Sequence, residues 1–240
     1  MRNLPTVTRN LLLLNVIAWL LTSIVARAGL DLIGVCGLHY VTAPSFHIWQ
    51  FVTYMFMHFD FSHLFFNMFA VLMFAPVLER EWGATKFLVF YLICGLGAAL
   101  VQEGVWALMF GDQLSLYPEY ADRLVTIGAS GAVFGILLAF GWLFPDVSMY
   151  LFFIPIPIRA RVMVIGYAVV ELFAGLGGMV FSGDNVAHFA HLGGMLFGWL
   201  VLLYWKYGEK YVRSLWSSLR GRKDDRDDDR WGNYHYQRSL

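Results

Sequence analysis

Three short clusters hold the residues of this chain that can do chemistry. The first is Thr126-Ile127-Gly128-Ala129-Ser130-Gly131-Ala132-Val133-Phe134-Gly135, where the Ser130 hydroxyl stands among glycines in an apolar run. Taken alone, Ser130 reads by default as a helix-packing residue, and the sharper reading is a nucleophile held where backbone can stabilise an anion. The second is the pair His63 and Asn67, four apart and so on one helix face. The third is the pair His188 and His191. A serine with a general-base histidine is the smallest activated nucleophile. Acyl transfer also needs donors for the developing oxyanion. Side-chain N–H groups of His63 and Asn67, and a Ser130 amide near a helix start, can supply them.

The elements that must position these residues are membrane spans. Of 240 residues, 59% are hydrophobic and only 14% are charged, against roughly 25% charge in a soluble domain. Apolar runs of about 20 residues recur, which predicts an all-α polytopic membrane protein. The expected spans are 11–29, about 61–79, 86–104, 125–144, 160–180 and 185–205. The first is too long for a cleaved signal and lacks a small-x-small site. Asp60 or Ser62 is placed to cap the second span. A polar leader covers 1–10, the six-span membrane domain 11–205, and a charged, disordered tail 206–240, with a charge on every residue from Asp224 to Arg230. Residues 30–50 read as interfacial, 105–124 as a loop, 152–158 as a proline-broken turn and 182–184 as a short turn. Cys36 and Cys94 form no metal or disulfide pattern, and scattered basic residues exclude a nucleic-acid surface. Fifteen of the seventeen Lys and Arg fall in the leader, the 80–86 and 145–161 loops and the tail, leaving Arg27 and Arg123 opposite. Both termini are therefore expected in the cytoplasm.

With that topology the three clusters share one depth. Ser130 falls about five residues into its span and His191 about six, or roughly 7 and 9 Å down. Gly131 and Gly135 beside Ser130, and Ala190, Gly194 and Gly198 beside His191, form small ridges that let two helices cross tightly. A metal site built from His58, His63, His188, His191 and Glu171 is the chemical rival. It is set aside because His58 precedes its span, Glu171 lies midway down the fifth, and Asn67 and Ser130 are poor zinc ligands. No cofactor is expected.

At these residues the chain resembles the rhomboid family of intramembrane serine proteases. Gly128-Ala129-Ser130-Gly131 is similar to the family's nucleophile motif, and Ala190-His191-Leu192-Gly193-Gly194 with Gly198 to its histidine helix. His63-Leu64-Phe65-Phe66-Asn67 is similar to its HxxxN element, with Met57-His58-Phe59 upstream. Glu79-Arg80-Glu81-Trp82-Gly83 resembles the turn that follows. The resemblance covers about 5–205 and implies a six-transmembrane-helix rhomboid-like bundle.

It also implies a Ser130–His191 dyad without a third acid, so packing and the ring of Phe134 would set the His191 tautomer. His63 and Asn67 carry over as oxyanion stabilisers, and His188 as a site-lining or packing residue. Phe134 stands where a bacterial relative has a tyrosine stacked on the histidine. The Trp-Arg pair usual in the first outer loop is not evident, so aromatics would anchor residues 30–50 instead. Implied partners are single-span or polytopic membrane protein substrates in a lipid bilayer, cut near the outer face of a bacterial inner (plasma) membrane. Two rivals from other classes are a non-proteolytic membrane client-binding protein, whose family members lack the serine or histidine, and a transporter, for which no internal repeat is seen. Glu171 has no assigned role.

Overall fold

The computed structural model describes residues 4–151, 154–181 and 187–208. The tail from 209, with its run at 224–230, and the turn at 182–184 lie outside them. The chain divides into two units, Met1–Trp199 and Leu200–Leu240. In the second, helix runs on to Leu203 and a π-helical turn covers Tyr204–Gly208.

Among the described residues, five helices are long and apolar enough to cross a membrane: α1 (Thr6–Ala26), α4 (Phe61–Trp82), α5 (Ala84–Leu116), α7 (Ala160–Phe181) and α8 (His188–Leu203, extended by the π turn). The sixth, α6 (Ser130–Leu143), has 14 residues. Two short helices, α2 (Leu32–Cys36) and α3 (Gln50–Thr53), lie in the first connection. The fold is thus mostly helical and polytopic, with five candidate spans and one shorter apolar helix.

Bulky apolar side chains stay exposed on all five of these long helices, among them Leu13, Leu14, Ile17, Leu20, Leu21 and Ile24 on α1 and Val162, Ile165, Val169 and Phe173 on α7. Apolar exposure on that scale belongs against lipid. The interior is aromatic: Tyr54, Tyr91, Phe87 and Phe90 are fully buried.

Several expected boundaries move. Helix α5 does not stop at 104 but continues through Leu116, since no proline intervenes before Pro118. The 145–161 segment is not merely a broken turn. It is a hairpin of β3 (Ser148–Leu151) and β4 (Ile154–Arg159), antiparallel, with Ser148 opposite Arg159 and Met149 opposite Ile158. Its prolines lack an N–H, and a two-stranded sheet consists only of edges, where that is tolerated. Asp146 anchors the hairpin base by pairing with Arg161 and Arg159.

The first connection is held by polar groups as much as by aromatics. Gln50 Nε2 donates to the Ser45 and Val35 carbonyls, and its Oε1 accepts from His39 N–H. Val41 N–H donates to Glu103 Oε2, and Ser45 N–H to Asp122 Oδ1. His47 stacks on Trp49 at 4.1 Å between ring centres, and Trp49 Nε1–H donates to the Val35 carbonyl.

Two caps fix the starts of α4 and α1. Asp60 Oδ1 accepts from His63 N–H at 2.7 Å and caps α4. Helix α1 has no cap of its own. Its first amides, Val7 and Thr8, donate to the Glu79 carboxylate near the far end of α4 at 2.8 and 2.7 Å, and Thr8 Oγ1–H donates to the same group. A buried acid on the N-terminal end of another helix satisfies orphan amides and complements the helix dipole. Glu79→Ala is expected to destabilise the protein by about 2–3 kcal/mol, the range for hydrogen bonds to a charged group, measured by denaturant titration in detergent.

His58, in the turn before α4, is 1% exposed, with its ring centre 4.8 Å from that of His63. Burial, then His63, push its imidazole down to about 4, the Phe56 carbonyl offsetting part of this. The unfolded chain, with its imidazole near 6.5, takes up the proton first. Stability therefore falls as pH drops from about 6.5 to about 4. His58→Phe should reduce that acid-side loss, seen as a smaller fall in unfolding midpoint between pH 7 and pH 4.5.

Candidate active site

Ser130 is the first residue of α6, not the fifth or sixth of a longer span. The residues before it are extended. Val125 and Thr126, both β-branched, form β2 and pair antiparallel with β1 (Leu38–His39) of the first connection. Gly128 then takes φ +125°, a conformation that side chains rarely adopt. A Cβ there would also sit 2.6 Å from His63 Nε2. Gly128 N–H donates to the Tyr54 carbonyl at 2.9 Å, and Tyr54 O–H to the Gly95 carbonyl at 2.7 Å. The helix start is thus tied to the first connection and to α5.

Helix α8 brings His191 to Ser130. A Cβ on Gly194 would fall on the Gly131 carbonyl, and one on Gly135 would meet Cys94 and lie 3.1 Å from the Gly194 carbonyl. A Cβ on Gly131 would strike Ala98, and one on Gly198 would lie 3.2 Å from Cys94. The glycines let the backbones of α6 and α8 touch against α5. At that crossing His191 Nε2 lies 2.8 Å from Ser130 Oγ. Phe134 lies flat on the imidazole, 4.4 Å between ring centres and 7° between planes, and Tyr167 meets Phe134 edge-on.

His63 and Asn67 are the third and seventh residues of α4 and face the same space. Asn67 is buried, and its Nδ2 donates to the His63 carbonyl at 2.9 Å, which leaves one amide hydrogen for another acceptor. Both line a cavity of about 1110 Å³ together with Ser130, Phe134 and His191. Its other walls are Phe66 and Met73 of α4, Met163 and Tyr167 of α7, and Met149 and Tyr150 of β3.

The residue that sequence reasoning left without a role is Glu171. Its Oε2 lies 2.8 Å from His191 Nδ1 and 2.7 Å from His188 Nδ1. An acid does reach His191, contrary to the expectation of none, and His188 faces that acid. The expected span of 160–180 agrees with α7 and puts Glu171 midway along it, but it does not show that this level meets the first turn of α8. The metal alternative was set aside on that same midway position. Glu171, His188 and His191 offer three donor atoms within 4.8 Å of one another. Here both imidazole nitrogens are at hydrogen-bond distance from one carboxylate oxygen, which satisfies all three without an ion.

Comparison with known proteins bears on the same region. Residues 45–207 match the Rhomboid domain. The chain is 35% identical over 177 residues to Rhomboid-like protein 11, chloroplastic, of Arabidopsis thaliana, covering 67% of this chain and 53% of that protein. It is 30% identical over 153 residues to Rhomboid protein 1, mitochondrial, of Saccharomyces cerevisiae, covering 61% and 40%. It is 30% identical over 148 residues to RHOMBOID-like protein 12, mitochondrial, of Arabidopsis thaliana, covering 60% and 42%. The chain therefore spans about half the length of these relatives. The matched region contains every helix that carries His63, Asn67, Ser130, Glu171 and His191, and on that match the chain belongs to the rhomboid family of polytopic membrane proteins.

Proposed function

We propose that the chain is an intramembrane serine endopeptidase that cleaves transmembrane helices near the outer membrane face, with Ser130 as nucleophile and His191 as general base. One observation carries the proposal: Ser130 Oγ lies 2.8 Å from His191 Nε2 beside a large cavity between membrane helices. A serine needs a base within that reach to attack a carbonyl at neutral pH.

The chemistry follows from the positions of the groups. Ser130 gives its proton to His191 Nε2 as Oγ attacks the carbonyl carbon. The oxyanion is held by the free Asn67 amide hydrogen, by His63, and by the Ser130 amide. That amide is at the first position of α6 and has no partner within the helix. His191 returns the proton to the leaving amine as the peptide bond breaks. Water, activated by the same imidazole, then hydrolyses the acyl-enzyme. Phe134 holds the ring in plane.

The cavity wall gives the substrate class. Apart from these groups and from Asp60, Ser62 and Thr126 its lining is largely apolar and aromatic, so it takes a membrane segment entering beside α7. A helix must unwind before one of its peptide bonds reaches Ser130. Segments with glycine or proline at the cut lose least by unwinding. The membrane domain would cover 11–205, with the leader 1–10 and tail 206–240 in the cytoplasm of a bacterial cell, the side that the Lys and Arg distribution favours.

A fluorescent fluorophosphonate should label the wild type in liposomes and leave Ser130→Ala and His191→Ala unlabelled, although both fold. Silence of folded wild type towards this and a second serine-reactive probe would favour a client-binding protein. With a transmembrane peptide as substrate, Asn67→Ala should lower kcat by about 10²–10³. An unchanged kcat would remove Asn67 from the oxyanion site.

A further inference from the structure

Glu171 is an acid on a lipid-contacting helix, and such groups are costly unless fully partnered. Its side chain is 12% exposed, as is that of His188, with His191 at 10%. Tethering α7 to α8 does not require a carboxylate, since apolar packing does that at lower cost. What a carboxylate does here depends on which nitrogen it meets. As an anion it can only accept, so the His191 Nδ1 at 2.8 Å must carry the hydrogen. Nε2 is then left with its lone pair, and that nitrogen is the one 2.8 Å from Ser130 Oγ. The two contacts lie on opposite sides of one ring, itself fixed in plane by Phe134.

We infer that Glu171 is a positioning residue that extends the Ser130–His191 pair into a three-residue hydrogen-bonded chain, with His188 as the second donor that steadies the same carboxylate oxygen. The inference rests on the serine-nucleophile reading above. When Ser130 passes its proton to Nε2, the ring becomes an imidazolium. Its Nδ1–H bond to Glu171 Oε2 then becomes charge-assisted on both sides, which stabilises the cation. The carboxylate itself takes no proton. His188 Nδ1, 2.7 Å from the same oxygen, limits the rotamers of Glu171 and shares the task of satisfying it. The Ser-His contact, which packing alone was expected to orient, thus has an electrostatic support from α7.

The test uses the full chain in liposomes, with Glu171→Gln, Glu171→Asp and His188→Gln checked for equal unfolding midpoints. Glu171→Gln keeps the shape and removes the charge. It should lower both kcat and the rate of fluorophosphonate labelling by about 10²–10⁴, with KM changed less than threefold. Glu171→Asp, which keeps the charge, should recover at least tenfold over Gln. His188→Gln should lower kcat by less than tenfold. A low-field Nδ1–H proton resonance from His191 should be present in wild type and lost in Glu171→Gln. Labelling of Glu171→Gln within threefold of wild type would overturn the inference. So would an equal loss in His188→Gln and Glu171→Gln, which would mark a helix tether only, or a wild type silenced by a chelator and restored by zinc, which would make the trio a metal site. A wild type that is unlabelled yet keeps the low-field resonance would sink the serine-nucleophile reading and leave the tautomer-setting contact standing.

Discussion

The start of one short apolar helix is the constraint on which the rest depends. Helix α6 has 14 residues, about 21 Å of length against a hydrocarbon core of about 30 Å. As the sixth span of the proposed bundle it would have one end inside the membrane, and the polar residues are at the Ser130 end. A buried helix start presents unpaired amides, and an extended strand leading into it presents more. In lipid neither is tolerated unless protein satisfies it. The β1–β2 pairing, the Gly128 bond to Tyr54 and the Tyr54 bond to Gly95 are the local solution. They also explain why the first connection is so heavily hydrogen-bonded through Gln50, Glu103 and Asp122: it is the partner that lets α6 begin at depth.

The second requirement is proximity of the backbones. The Ser130–His191 contact spans two helices whose surfaces would ordinarily be held 8–10 Å apart axis to axis. Gly131 and Gly194 remove the side chains that would keep them there, and Gly135 and Gly198 do the same one turn further on. Ala98 and Cys94 of α5 fill the remaining angle. The distance between Ser130 Oγ and His191 Nε2 is therefore set by absent side chains, and any methyl added at Gly194 acts on that distance through backbone.

How much of this was legible in the sequence depends on the range of the interaction. Local chemistry was readable. The Asp60 cap, the His63/Asn67 spacing and the small-residue ridges each lie within one helix, and each has the expected local geometry. Residue counting failed wherever a distant partner decided the element. Thr126 reads as helix by its apolar context, but Leu38, far away in the chain, makes it strand and moves the start of α6 to Ser130. Glu79 reads as part of a polar turn, yet it caps a helix that begins at Thr6. The 148–159 hairpin was hidden because its prolines argue against strands unless both strands are edges. Glu171 was seen as an anomaly but not placed. Helix ends are the least certain part of any sequence reading, and a depth counted from them inherits the error.

The placement of Glu171 has a consequence for the energetics of the layer. A lone acid within a span is costly; here one oxygen accepts from two imidazoles, and the three groups are nearly closed to solvent. Removing any one leaves the others under-satisfied in a medium of low polarity, where an unmet charge is more costly than the pair was beneficial. The trio is therefore held together more tightly than its two hydrogen bonds alone would suggest. Its effect is exerted on His191, the member that also faces the cavity. A device that merely joined α7 to α8 would have no reason to include that residue, since His188 already offers Glu171 an N–H one turn away. That the same oxygen reaches past His188 to the ring above Phe134 is what ties the cost of burying an acid to the reactivity proposed for Ser130.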